Sequence, residues 1–112
     1  MTDILEKDIE KKLKARLEKI SCMVLKFVSP GNAGVPDRLV ITPSGRMCFV
    51  ELKRPGGKLR PLQKLWRGKL RRYQVAYFKV ENDDEIERVL DWVKREGDAD
   101  EVHTPCVSSG SD

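Results

Sequence analysis

The chain has 112 residues, 39% of them hydrophobic and 36% charged, which is material for one modest core under a heavily charged surface. No apolar run approaches the roughly 20 residues that span a bilayer, and the charged N-terminal stretch lacks the apolar segment of a secretory leader. Cys22, Cys48 and Cys106 show no CxxC spacing and His103 is the only histidine. This speaks against a disulfide framework or a zinc finger and for a reducing, cytoplasmic setting.

Residues 3–20 predict a helix, because Ile9, Leu13, Leu17 and Ile20 recur at three- and four-residue spacing between Lys and Glu. Met23 to Val28 reads as a short strand, followed by a loop dense in Gly and Pro over residues 29–34. Arg38 to Thr42 and Met47 to Lys53 predict an antiparallel hairpin turning through Pro43-Ser44-Gly45. After the break at Pro55-Gly56-Gly57, a helix should begin near Pro61 with Leu62, Leu65, Trp66, Leu70 and Tyr73 as its buried stripe. Val75 to Val80 gives a further strand. Asn82 caps a last helix that turns Ile86, Val89, Leu90 and Val93 inward and stops at Gly97. Residues 1–97 form one domain, and 98–112 read as a disordered acidic, Ser-rich tail. The order αβββαβα predicts an α/β fold with a mixed central sheet flanked by helices.

The net charge of +4 conceals a segregation. Residues 52–80 hold ten Lys and Arg and no acid, while residues 81–112 hold three basic and eleven acidic residues. An uncompensated basic block of this size repels itself unless a polyanion neutralises it, and nucleic acid is the natural partner. A membrane surface is the rival, weakened because the leucines of this block look committed to a core. Arg54, Lys58, Arg60, Lys64, Arg67 and Arg71 are the candidate phosphate contacts within the block.

Charge also interrupts the hairpin. In a strand alternate residues share a face, so Glu51 and Lys53 point one way and Val50 and Leu52 the other. If Ile41 faces Met47, then Asp37 falls opposite Glu51, about 4.5–5.5 Å away between Cβ atoms. Two carboxylates that close repel unless a cation lies between them, and Mg²⁺ suits such an oxygen site. Lys53 could then position a water or neutralise charge on a phosphate. Cys48 should pack in the core, opposite the Glu51 face.

At these residues the chain resembles a known family. Gly34-Val35-Pro36-Asp37-Arg38, then Phe49-Val50-Glu51-Leu52-Lys53-Arg54-Pro55-Gly56-Gly57, then Pro61-Leu62-Gln63 look like the VRR-NUC domain of the PD-(D/E)XK nuclease superfamily. The resemblance implies a restriction-endonuclease-like αβββαβ core and a Mg²⁺-dependent DNA endonuclease, with Mn²⁺ as substitute metal. It implies Asp37 and Glu51 as metal ligands, joined by the Leu52 carbonyl and a helix-1 acid, Glu10 or alternatively Glu6. Lys53 would be the catalytic lysine and Gln63 its accessory, orienting Lys53 or a phosphate, or else a plain surface glutamine. Lys26, Ser29 and Arg38 join the candidate DNA contacts. Stand-alone members look like dimeric Holliday-junction resolvases, which implies a homodimer on branched DNA, in the host cytoplasm if phage-encoded. Flap or splayed-arm cleavage, and a non-catalytic DNA-binding module, are the alternatives.

Overall fold

The computed structural model describes residues 4–95. Its elements run α1 (Glu6–Lys19), β1 (Met23–Lys26), β2 (Arg38–Ile41), β3 (Met47–Leu52), α2 (Pro61–Arg72) and β4 (Ala76–Val80). A last helical stretch, α3, covers residues 83–95. The expected stop at Gly97, the tail over 98–112, Cys106 and His103 lie outside the described residues.

The four strands form one sheet in the order β1-β2-β3-β4. The first three pair antiparallel, and β4 pairs parallel to β3 after the crossover through α2. Ile41 faces Met47 across the hairpin, the register read from the sequence. Thr42 closes this turn: its N–H donates to the Arg46 carbonyl at 2.8 Å, and its carbonyl accepts from Gly45 at 2.9 Å. Gly45 takes a φ of +90°, which a side chain would resist. β1 ends two residues earlier than expected, with one last bond from the Phe27 N–H to the Asp37 carbonyl (2.9 Å) before the loop departs. α1 starts where the Asp8 carboxylate accepts from the Leu5 N–H at 2.9 Å. Asn82 caps α3 as predicted, its Oδ1 accepting from the Glu85 N–H at 3.0 Å.

Alternation along the strands gives the sheet two unlike faces. Val40, Cys48, Val50, Leu52 and Val80 are buried with Ile9, Leu13 and Leu17 of α1 and with Ile86, Val89 and Leu90 of α3. This is the hydrophobic core. The opposite face carries Leu25, Leu39, Phe49, Glu51 and Tyr77, and α2 packs against β4.

Of the expected buried stripe of α2, Trp66 and Leu70 are half-buried and the other three are exposed. Leu62 is 49%, Leu65 50% and Tyr73 79% exposed, and Gln63 is the buried residue of this helix. The helix is rotated because the surface beneath it is polar: Glu51 is buried there and needs a hydrogen-bond donor. Among the described residues no helix is long and apolar enough to cross a membrane.

Candidate active site

The site lies where β2, β3 and the start of α2 meet. Arg38 pairs with Val50, so Asp37 just before it comes level with Glu51. Glu51 is 6% exposed, an unusual position for a carboxylate. Burial first, and then the Asp37 charge, push its pKa up from 4.5 to about 7, against the pull of Lys53 and Arg60. Gln63 answers the buried carboxylate: its Nε2 donates to Glu51 Oε2 at 3.1 Å. The other end of the same amide accepts from the Arg60 N–H at 2.8 Å and so caps α2. Gln63 is therefore neither a surface residue nor a partner of Lys53, but the residue that orients Glu51.

Asp37 is divided between two environments. Its Oδ2 lies 3.3 Å from Arg38 Nη1, while Oδ1 is buried without a hydrogen-bond partner. An orphaned carboxylate oxygen beside a second, repelling carboxylate calls for positive charge, which a bound cation could supply. Among the described residues no group of three His, Cys, Asp or Glu side chains converges on a metal position. Asp37 and Glu51 are thus the side chains that could hold an ion, with the Leu52 carbonyl beside them on β3. Such a set fits Mg²⁺, which keeps several waters and is commonly held by one or two carboxylates plus phosphate oxygens. Lys53 follows on the same face as Glu51 and acts on it electrostatically. None of the ion pairs described involves its ammonium.

Two sequence assignments are corrected. Glu10 does not join the carboxylate pair, because its Oε2 accepts from Arg38 Nε and Nη2, each at 3.0 Å. The helix-1 acid whose charge reaches Glu51 is Glu6, the alternative. Arg38 in turn is buried and doubly paired, not a free phosphate contact. Opposite Val50, it points to the α1 side of the sheet and ties that helix to the Asp37 backbone (Nη1 to O, 3.0 Å). The remaining candidates are distributed around the cleft. Lys26, Arg54, Lys58, Arg60, Lys64 and Arg71 are exposed and Arg67 is half-buried. Ser29 Oγ accepts from Asn32 Nδ2 at 3.0 Å within the loop.

Tyr77 escaped the sequence reading. Its ring lies under Arg71 at 5.7 Å, and its buried hydroxyl has no partner. Burial, then the Glu51 charge, raise its pKa to about 12. Nothing in the apolar run Val75–Val80 distinguishes it; only the pairing of Phe49 with Tyr77 brings it to the Glu51 face.

The hairpin that carries Asp37, Glu51 and Lys53, flanked by a parallel crossover strand and a capped helix, has the layout of a restriction-endonuclease-like core. A model of the VRR-NUC domain matches residues 2–82. A solved VRR-NUC domain superposes with a TM-score of 0.71 at 30% identity, covering 77% of this chain and 94% of that one. The p44 protein of Acyrthosiphon pisum secondary endosymbiont phage 1, provisionally designated a nuclease, is 53% identical over 60 residues. That match covers 54% of this chain and 64% of the relative, so less than two thirds of the relative's length is spanned. The chain belongs to the VRR-NUC domain family of PD-(D/E)XK nucleases.

Proposed function

We propose that the protein is a divalent-metal-dependent, structure-selective DNA endonuclease acting as a homodimer on four-way junctions. The observation that carries this reading is the facing Asp37/Glu51 pair: a buried Glu51 with a raised pKa beside a half-exposed Asp37 that has one buried, orphaned oxygen. Asp37, Glu51 and the Leu52 carbonyl would hold Mg²⁺ or Mn²⁺, which supplies positive charge to the phosphate and makes a bound water acidic. Lys53 orients the attacking water and balances negative charge as the phosphate is attacked. Gln63 fixes the Glu51 carboxylate, and Arg38 holds Asp37 from behind. The exposed cations of α2 and the preceding loop take the flanking phosphates.

One such site cuts one strand, so paired cuts call for two sites related by a two-fold axis. Met23 and Met47 are both more than half exposed and share a sheet face with Leu25 and Phe49, an apolar surface suited to a second copy. The phage origin of the relative favours the cytoplasm of an infected host as the place of action. The test incubates end-labelled four-way junction and matching linear duplex with the protein in EDTA, Mg²⁺ or Mn²⁺. Symmetric nicks in opposing strands of the junction, only with metal, support the reading. Binding without cutting leaves a non-catalytic module, and equal cutting of both substrates leaves a general nuclease.

A further inference from the structure

The outward face of α2 is at odds with the rest of the surface. Leu62, Leu65, Lys69 and Tyr73 recur at three- and four-residue spacing, so they form one stripe along the helix. The three apolar members are between 49% and 79% exposed. Trp66 borders the stripe, half-buried, with the Lys69 ammonium 4.7 Å from its ring centre. No acid occurs between Lys53 and Lys79. Apolar side chains interleaved with cations match a ligand that has apolar faces joined by anions.

We propose that this stripe is a docking surface for the unstacked base faces that DNA exposes at the branch point of the substrate. It takes exposed base faces on Leu62, Leu65 and Tyr73, while Lys69 and its neighbours meet the phosphates. The stripe is held rigidly beside the cleft, because Gln63, on the buried side of the same helix, bonds to Glu51 at 3.1 Å. Continuous duplex covers its base faces by stacking, so the stripe discriminates between branched and unbroken DNA without reading sequence. A second copy is a poorer occupant. Across a two-fold axis the stripe would meet itself, setting Lys69 and the adjoining Arg72 against their own images. The charge-poor sheet face around Met23 and Met47 suits that role better.

The inference rests on the nucleic-acid reading of the basic block but not on cleavage, and it is tested without cleavage. A four-way junction carrying 2-aminopurine at its branch point is titrated in EDTA with wild-type protein. The same titration uses a Leu62→Ala/Leu65→Ala/Tyr73→Ala variant and the single variant Tyr73→Ala, which guards against a folding defect. Wild type should change the fluorescence and prefer the junction over equal-length duplex by about tenfold or more. The triple variant should lose both signals while its duplex affinity stays within about twofold, and Tyr73→Ala should lose part of each. Retention of preference and fluorescence change by both variants overturns the proposal. So does a fall from dimer to monomer mass in the triple variant, which would assign the stripe to a second copy. Fluorescence change and preference without metal-dependent cutting would sink the nuclease reading and leave this one standing.

Discussion

Replacing Glu51 by Gln separates what the buried carboxylate costs the fold from what it does in the cleft. Its pKa lies at about 7 in the folded chain, against an ordinary value of 4.5. Between these pH values the folded state keeps a proton that the unfolded state has released. Stability therefore falls as pH rises through the window, and the full penalty is present above about pH 7. At ~1.36 kcal/mol per pH unit, the penalty is about 3 kcal/mol. Glutamine preserves the shape and an oxygen that accepts from Gln63 Nε2, but carries no charge. Glu51→Gln should thus stabilise the metal-free protein by up to about 3 kcal/mol at pH 8 and by little at pH 5. Urea unfolding in EDTA at the two pH values measures this directly. Added Mg²⁺ should stabilise the wild type increasingly above pH 7, leave the variant unmoved, and restore no cleavage to it. Equal stability of the two proteins at pH 8 would refute the account of Glu51.

Asp37→Ala and Lys53→Ala should each reduce cleavage by at least about 100-fold while gel-shift affinity for DNA stays close to wild type. Arg67→Glu combined with Arg71→Glu should weaken duplex and junction alike, and reduce the slope of log affinity against log salt by about 0.9 per lost phosphate contact. Gly34→Ala should destabilise the fold by about 2 kcal/mol or more. A Cβ there would sit 2.6 Å from the Leu62 carbonyl carbon, at a φ of +92°. Urea unfolding that shows no loss would mean the loop moves aside freely.

The hairpin was legible because its register follows from short-range rules. A five-residue turn between two alternating strands leaves Ile41 opposite Met47, and Asp37 level with Glu51 comes with it. Helix α1 was legible through Ile9, Leu13 and Leu17, which do enter the core. Helix α2 was misread because periodicity reveals that a helix has an apolar stripe, not which way the helix is turned. Its rotation is decided by a buried carboxylate twelve residues earlier in the chain, which pulls Gln63 inward and leaves Leu62 and Leu65 in solvent. The same kind of long-range partner hid the fate of Glu10. An acid on the border of the apolar face looks available until Arg38, 28 residues on, reaches it from the back of β2. The signal was present in the alternation itself: Asp37 and Arg38 are neighbours and must point to opposite faces.

Asp37 and Glu51 are held by different layers of the molecule. Asp37 is tied through Arg38 to Glu10 on α1, and Glu51 through Gln63 to the capped first turn of α2. The two tethers enter from opposite faces of the sheet, while the hairpin register sets the two carboxylates level with one another. Neither tether neutralises the site: Gln63 is uncharged, and Arg38 meets one oxygen of Asp37 while the other remains buried and unpaired. The residual repulsion between Asp37 and Glu51, which helps raise the Glu51 pKa to about 7, is what a metal ion bound between them would relieve. On the metal-dependent reading proposed above, affinity for the cation and instability without it would be the same interaction, seen from two sides.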